Sequence, residues 1–164
     1  MVRKRMKPGP GQESVWDYPR PPAVEPCSWS IRVEMAGIVI AETAQSIRVM
    51  ETSHPPVYYL PPDDIRMDLM QSSDHGSFCE WKGYATYHTL TIEGKTVPNL
   101  AWSYRSPTER FESLAGYLAF YPSKVDACFV DGEQVEAQPG DFYGGWITSR
   151  IVGPFKGGPG TMGW

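Results

Sequence analysis

The segment FCEWKGYATYH, residues 78–88, carries three side chains that often take part in catalysis or ligand binding. Cys79 could act as a thiolate nucleophile, Lys82 could hold an anionic group and His88 could serve as a base. Aromatic and β-branched residues predict one long strand that continues to Ile92. On an unbroken strand Cys79 and His88 are about 30 Å apart, at about 3.3 Å per residue, which excludes a dyad. His75, in the preceding loop, stays open as a base for Cys79.

Alternation along this strand predicts two faces. The core face would carry Cys79, Trp81, Ala85 and Tyr87. The solvent or cleft face would carry Glu80, Lys82, Tyr84, Thr86 and His88. Lys82 would then not assist a Cys79 thiolate, because positions i and i+3 face opposite sides. A bulge at Gly83 would move the later residues to the other face, so the side occupied by residues 84–88 stays open.

A second cluster lies in HPPVYYLPPDDI, residues 54–65, where two Pro-Pro pairs bracket a short aromatic strand. Glu51 ends the alternating strand just upstream. The leading hypothesis is a small-molecule-binding cleft, and its predicted ligand-binding residues are Glu51, Tyr59, Lys82, Trp102 and Tyr104. In an apolar cleft Lys82 would either have a lowered pKa or fix an anionic group, with Glu51 or Glu80 as counter-charge.

Two alternatives belong to other functional classes. One is an enzyme that uses Cys79 thiolate chemistry, for which Cys79, Lys82 and Glu51 are the catalytic candidates. The other is a protein-interaction module that uses the aromatic, glycine-rich C-terminal tail. We predict no metal and no cofactor, because the chain has no C-x-x-C pair, no phosphate-binding G-x-x-x-x-G-K-[ST] and no dinucleotide-binding fingerprint.

Composition limits the other partners. Residues 1–12 carry four basic side chains and no acidic one, so removing them from the net charge of −4 leaves −8 on residues 13–164. An acidic body disfavours a nucleic-acid surface on the domain. We predict no signal peptide, no apolar run that would span a membrane, and a cytoplasmic protein whose three cysteines are reduced. The oligomeric state stays open, with a homodimer as one option.

The elements that must position these residues are mostly strands. The 16 glycines and 16 prolines predict many turns, and tight hairpins are predicted at Ala36-Gly37 and Asp131-Gly132. One α-helix is predicted near residues 107–120, with Ser106 as its N-cap. We therefore predict a disordered basic tail over residues 1–12, followed by a single mainly β domain over residues 13–164. That domain begins with an extended, Pro-rich arm that lays Trp16 and Tyr18 on the domain surface.

Several stretches together resemble domain-of-unknown-function family 427, which is sometimes catalogued as nucleotidyltransferase-like. They are ESVWDYPRPP (13–22), ETSHPPVYYLPPDD (51–64), FCEWKGYATY (78–87), AWSY (101–104), VDACFVDGE (125–133) and residues 138–164. The resemblance implies a β-tent-like fold of antiparallel strands, as in methionine sulfoxide reductase B, Yippee proteins and the thalidomide-binding domain of cereblon. It implies no settled activity.

Relatives with this fold often hold zinc on two C-x-x-C pairs, which this chain lacks. The family pattern C-P-[FYW]-K-G-x-A-x-Y is matched at Cys79, Lys82, Gly83, Ala85 and Tyr87. Glu80 replaces the proline of the pattern, and Tyr84 takes a position that is often acidic. The nucleotidyltransferase label gains no support, because no Asp-x-Asp strand follows Gly76-Ser77.

Overall fold

The computed structural model describes residues 4–140 and 142–164, and within them the chain is mainly β, as predicted. The strands are β1 Glu13–Ser14, β2 Ala23–Cys27, β3 Ile31–Met35, β4 Ile38–Thr43, β5 Ser46–Met50, β6 Val57–Leu60, β7 Met70–Cys79, β8 Gly83–Ile92, β9 Lys95–Ser103, β10 Leu118–Phe120, β11 Ala127–Val130, β12 Glu133–Gln134, β13 Glu136–Ala137, β14 Trp146–Ile147 and β15 Ile151–Val152. Short 3-10 helices span Val15–Asp17, Pro62–Asp64, Met67–Leu69, Glu109–Leu114 and Pro122–Lys124.

Two antiparallel sheets form most of the fold. The larger is a seven-stranded open sheet in the order β2-β5-β6-β10-β9-β8-β7, and the smaller has the order β12-β11-β3-β4. The pair β13–β14 is also antiparallel, whereas β1 and β15 pair in parallel and join the N-terminal arm to the C-terminal tail. An open antiparallel sheet of this kind fits a β-tent-like domain.

The predicted tight hairpins are confirmed. β3 and β4 are joined by Ala36-Gly37, and β11 and β12 by Asp131-Gly132. Both residues of each turn have positive φ, 52° and 73° in the first and 47° and 81° in the second. Turns of this handedness match the right-handed twist of the strands they join, which is why Gly or Asp-Gly is favoured there.

Strand alternation divides the larger sheet into two buried faces. Leu60, Leu118 and Phe120 point to one face and pack against Ile31 and Val33 of the smaller sheet. The residues next to them in sequence, Tyr59, Ala119 and Tyr121, belong to a second cluster on the opposite face. This cluster also holds Tyr87, Trp102 and Tyr104 and is built largely of tyrosine and tryptophan. A period of two along each strand therefore separates a mixed apolar core, which holds Tyr58, Phe120 and Trp146 beside its aliphatic residues, from a face rich in tyrosine and tryptophan.

The single long strand predicted over residues 78–92 is wrong. β7 ends at Cys79, residues 80–82 form a turn, and β8 begins at Gly83 and pairs back on β7. Gly83 has φ +104°, a conformation that other residues rarely adopt. Thr108 holds the turn in place, since its N–H donates to the Lys82 carbonyl at 3.1 Å and its hydroxyl to the Trp81 carbonyl at 2.6 Å.

The helix predicted near residues 107–120 is present over Glu109–Leu114, wound as a 3-10 helix rather than an α-helix. Its N-cap is Thr108 rather than the predicted Ser106. The element is kinked at Phe111, which has φ −111° and ψ 19°, and both Phe111 and Leu114 are buried in the aromatic cluster.

The N-terminal arm and the C-terminal tail pack against each other. The arm lays Trp16 and Tyr18 against the rest of the domain, where both are buried in a cluster with Ile151. The predicted disordered tail, residues 1–12, is described only from residue 4, and there the Met6 N–H donates to the Gly153 carbonyl at 2.9 Å. The disorder of the tail stays a prediction, and its Arg3 lies outside the described residues. None of the helices found in the described part of the chain has the length and apolar character needed to cross a membrane.

Candidate functional site

A cavity of about 320 Å³ lies on the aromatic face of the larger sheet. The sheet contributes side chains from β5, β6, β7, β8 and β9, while the turn 51–55, the hairpin turn 80–82 and the C-terminal tail close the sides. Its lining residues are Val49, Glu51, His54, Pro55, Val57, Tyr59, Ser77, Phe78, Cys79, Glu80, Trp81, Lys82, Tyr87, Trp102, Tyr104, Tyr121, Phe142, Tyr143 and Lys156.

The structure brings together all five residues predicted to bind a ligand, namely Glu51, Tyr59, Lys82, Trp102 and Tyr104, and Cys79 joins them. Cross-strand register explains the position of the aromatic pair. Ala119 on β10 pairs with Tyr59 on one side and with Trp102 on the other. The small alanine leaves space between the two large side chains, and Trp102 Nε1–H donates to the Tyr59 hydroxyl at 3.3 Å.

The hairpin turn places Lys82 beside Cys79. Lys82 Nζ lies 3.6 Å from Cys79 Sγ, so the prediction that these two residues face opposite sides is wrong. Side chains alternate between two faces only along a strand. Residues 80–82 form a turn, which brings Lys82 back beside Cys79. Cys79 is half-buried: it packs against the aromatic cluster that holds Ala85 and Tyr87, as the predicted core face implies, and it also lines the cavity.

The Lys82 ammonium lies among aromatic faces. Its Nζ is 5.8 Å from the ring centroid of Tyr104 and 5.6 Å from that of Phe111. Burial is the largest influence on the amine and alone would lower its pKa. The facing groups of Tyr59, Cys79 and Glu51 outweigh burial, so the pKa of Lys82 is raised. The predicted option of a lowered pKa is therefore wrong, and Lys82 is a cation at neutral pH.

Glu51 is only half-buried and is held by other groups. Arg20 Nε lies 3.2 Å from Glu51 Oε2, and the Arg20 guanidinium also donates to the Thr52 carbonyl at 2.8 Å. The His54 ring approaches the same carboxylate oxygen, with Nε2 at 3.7 Å. The charge of Glu51 is thus balanced by Arg20 at the cavity wall, and within the described residues no carboxylate lies within 4.0 Å of Lys82 Nζ.

His54 lines the cavity and was not predicted as a site residue. Gln138 fixes its tautomer, because the Gln138 carbonyl oxygen accepts from the Gly145 N–H while its amide nitrogen donates to the Lys156 carbonyl. The remaining Gln138 N–H points at His54 Nδ1, at 3.0 Å, so Nδ1 is an acceptor and Nε2 carries the proton. Glu51 Oε2 is too far from Nε2 for a hydrogen bond.

The electrostatic surroundings keep His54 neutral. Burial, and after it the positive charges of Lys156, Arg20 and Lys82, lowers the pKa of His54 to about 3. Because the orienting Gln138 lies 84 residues away, no local pattern around the HPP sequence could have indicated this histidine. The only signal was its place in the turn between a strand and a Pro-Pro pair.

Tyrosine hydroxyls form a second polar group in the cavity. The Tyr87 hydroxyl is 3.0 Å from Ser77 Oγ and 3.4 Å from the Tyr121 hydroxyl. Burial raises the pKa of Tyr59, of Tyr104 and of Tyr121, so these three phenols are neutral at physiological pH. They are able to donate and accept hydrogen bonds without adding charge.

The C-terminal tail closes one side of the cavity, and its glycines permit the close contact. A Cβ atom at Gly144 would lie 2.6 Å from a ring carbon of Trp102, and the residue has φ +73°. Phe142 and Tyr143 follow the same path along the rim. Lys156 Nζ is 5.4 Å from the Tyr143 ring centroid and donates to the Trp164 carbonyl at 3.3 Å.

The two other histidines considered with Cys79, His88 and His75, make contacts of their own. His88 Nε2 lies 2.7 Å from Ser103 Oγ in the interior, and five residues of β8 separate it from the Cys79–Gly83 pair, roughly 16 Å. His75 packs edge-on against the Tyr87 ring, with centroids 4.5 Å apart. Across residues 4–140 and 142–164, no group of three or more His, Cys, Asp or Glu side chains is arranged to hold a metal ion.

Comparison with known proteins gives a family without a described activity. No curated protein matches the chain. The family model described as "Domain of unknown function (DUF427)" matches residues 23–131, about two thirds of the chain. The match includes Glu51, His54, Cys79, Lys82 and Trp102, whereas Tyr143 and Lys156 in the tail lie beyond it. The chain belongs to the DUF427 family.

Proposed function

We propose that this protein binds a small organic molecule in the aromatic cavity. The observation that carries the proposal is convergence: residues from separate strands, two turns and the tail surround one space of about 320 Å³. Protein interiors are close-packed, and voids larger than a water molecule are few. A space of this size lies within the range of ligand pockets, about 300–1,000 Å³.

The placement of Lys82 supports the same proposal. A cation removed from water is costly unless it is paired and hydrogen-bonded. Lys82 Nζ has three N–H donors, and within the described residues it contacts one thiol sulfur and two aromatic rings. A side chain held in this way contributes little to folding, whereas a ligand that offers acceptor atoms would complete its hydrogen bonds.

A thermal-shift screen of metabolites tests the proposal. A ligand at about 100 times its Kd stabilises the folded state by about 2.7 kcal/mol, which raises the Tm of a chain of this size by roughly 5–10 °C. We expect at least one compound to produce such a shift, and we expect Trp102→Ala and Lys82→Ala to reduce it. Lys95→Ala, an exposed lysine away from the cavity, serves as the matched control. Compounds that shift none of the proteins, or all of them equally, would contradict the proposal.

A second candidate is thiol chemistry at Cys79, favoured by the 3.6 Å contact with Lys82 Nζ. A cationic neighbour at a partly exposed position is typical of a nucleophilic cysteine. The rate of alkylation by iodoacetamide in the native protein tests it, since Cys27 and Cys128 are buried. We expect one fast-reacting thiol that is lost in Cys79→Ser and slowed in Lys82→Met. Reaction no faster than that of the buried thiols would exclude this candidate.

A further inference from the structure

We infer that the cavity takes an aromatic carboxylate of one ring, with its carboxylate at the Lys82 ammonium and its ring against Trp102 and Tyr121. This inference rests on the proposed function and names the chemical class of the ligand. Three properties of the cavity lead to it: the balance of charge, the donors that face inward, and the shape and chemistry of the walls.

The charge balance leaves two lysines of the cavity, Lys82 and Lys156, without a carboxylate partner among the described residues, and of these we assign Lys82 as the cation that a ligand would neutralise. Glu51 is paired with Arg20 at 3.2 Å, and Lys156 donates to the Trp164 carbonyl. Glu80 is exposed at the rim, where solvent and salt screen its charge. Among the described residues the Lys82 ammonium has no carboxylate partner, so an anionic group brought by a ligand would supply it.

More positive than negative groups lie around His54. After burial, Lys156, Arg20 and Lys82 lower the pKa of its imidazole, and the one carboxylate near its Nε2, that of Glu51 at 3.7 Å, is paired with Arg20. A positive potential favours an anion over a cation. It also opposes an alternative use of the aromatic walls, because tyrosine and tryptophan rings bind quaternary ammonium groups only where no lysine repels them.

The donors suit an anionic group as well. His54 presents Nε2–H, a neutral donor held by Gln138, and no hydrogen bond from Nε2 forms within the described residues. Lys82 offers its ammonium at the facing hairpin turn. Carboxylate oxygens accept hydrogen bonds from such donors, and charge-assisted bonds are roughly twice as strong as neutral ones.

The walls favour a planar apolar body. The ring centroids of Trp102 and Tyr121 are 4.5 Å apart and those of Tyr59 and Trp102 are 6.2 Å apart. Aromatic rings prefer offset-stacked or edge-to-face contacts with other rings. The volume is at the small end of the range for ligand pockets, which suits a single substituted ring and excludes a dinucleotide.

Three probes of one shape and different charge test the inference: benzoate, benzamide and benzamidinium. Isothermal titration calorimetry of the full chain at pH 7 and low salt should show benzoate binding about tenfold more tightly than benzamide, and benzamidinium binding most weakly. Lys82→Met should remove the preference for benzoate over benzamide. Lys95→Met, the matched control for loss of one positive charge, should retain the preference.

The outcomes separate this inference from the proposed function. Equal affinity for benzoate and benzamide, a preference for benzamidinium, or a benzoate preference that persists in Lys82→Met would overturn the inference. A neutral or cationic compound that shifts the Tm in the metabolite screen, independently of Lys82, would support the proposed function and overturn the inference. Failure of every screened compound and every probe to bind would contradict both.

Circular dichroism of Lys82→Met checks that the variant is folded, and Lys82→Arg, which keeps the charge, should keep the benzoate preference.

Discussion

The two faces of the seven-stranded sheet are built by the same strands and differ in what their side chains do. On one face Leu60, Leu118 and Phe120 meet the smaller sheet in a closely packed core. On the other face Tyr59 and Trp102 surround open space. The first face is filled by its side chains, whereas the second leaves a cavity between its rings. We therefore expect stability to come mainly from the first face, and the proposed binding would use the second.

The largest expected loss of stability comes from the face of the larger sheet that packs against the smaller sheet. Phe120→Ala removes a ring with no exposed surface and should lower the free energy of unfolding by about 3–5 kcal/mol, measured by urea denaturation. Tyr121→Ala, the next residue on the cavity face, should cost clearly less. One side of its ring already faces the cavity, so fewer contacts are lost. Equal losses for the two variants would contradict the division of roles between the faces.

The next effect concerns the tail that closes the cavity. Gly144→Ala would place a methyl group against Trp102 and force a non-glycine residue to adopt φ +73°, so we expect a loss of about 2–3 kcal/mol in the free energy of unfolding. Gly158→Ala is the matched control, since a Cβ there has nothing within 4 Å. It should leave stability nearly unchanged. A Gly144→Ala protein as stable as the control would show that the tail does not press on the cavity wall.

The sequence predicts part of this arrangement well. The hairpins at Ala36-Gly37 and Asp131-Gly132 depend on local turn chemistry, which is readable from two residues. The cleft residues Tyr59 and Trp102 were predicted together and do line one cavity, because strand parity puts aromatic residues on a common face. Their role in binding stays a prediction.

Other features depend on contacts between residues distant in sequence. The turn at residues 80–82 lies in a segment rich in strand-forming residues, and it is fixed by hydrogen bonds from Thr108. β7 was missed because its polar sequence, QSSDHGS, shows no apolar alternation on an exposed edge strand. His54 owes its tautomer to Gln138. None of these long-range partners leaves a local signature.

The free energy of unfolding should depend on pH because of His54, which lines the cavity. The folded-state pKa of His54, about 3, is below its ordinary value of 6.5, so the unfolded chain binds a proton that the folded chain excludes. Stability from this group is present above pH 6.5 and is lost as the pH falls toward 3. Between pH 7 and pH 5 we expect a loss of about 2 kcal/mol from His54 alone.

His54→Gln isolates that contribution, because the other titrating groups remain in both proteins. The difference between wild type and variant in the free energy of unfolding, measured in urea at pH 7, 6 and 5, should shrink as the pH falls. A difference that stays constant over this range would show that His54 titrates alike in the folded and unfolded chains.

The smallest expected effect on stability distinguishes a binding residue from a structural one. The hairpin turn is held by the Lys82 carbonyl and by Thr108, not by the lysine side chain. Lys82→Met keeps the length of the side chain and removes a cation that lacks a carboxylate partner among the described residues. Replacing a poorly paired buried charge by an apolar side chain is often neutral or stabilising. We therefore expect the free energy of unfolding to stay the same or rise by up to about 1 kcal/mol in urea denaturation at pH 7, while benzoate affinity falls. A loss of stability larger than about 1.5 kcal/mol would instead make Lys82 a structural residue, since stability and binding would then depend on the same contacts.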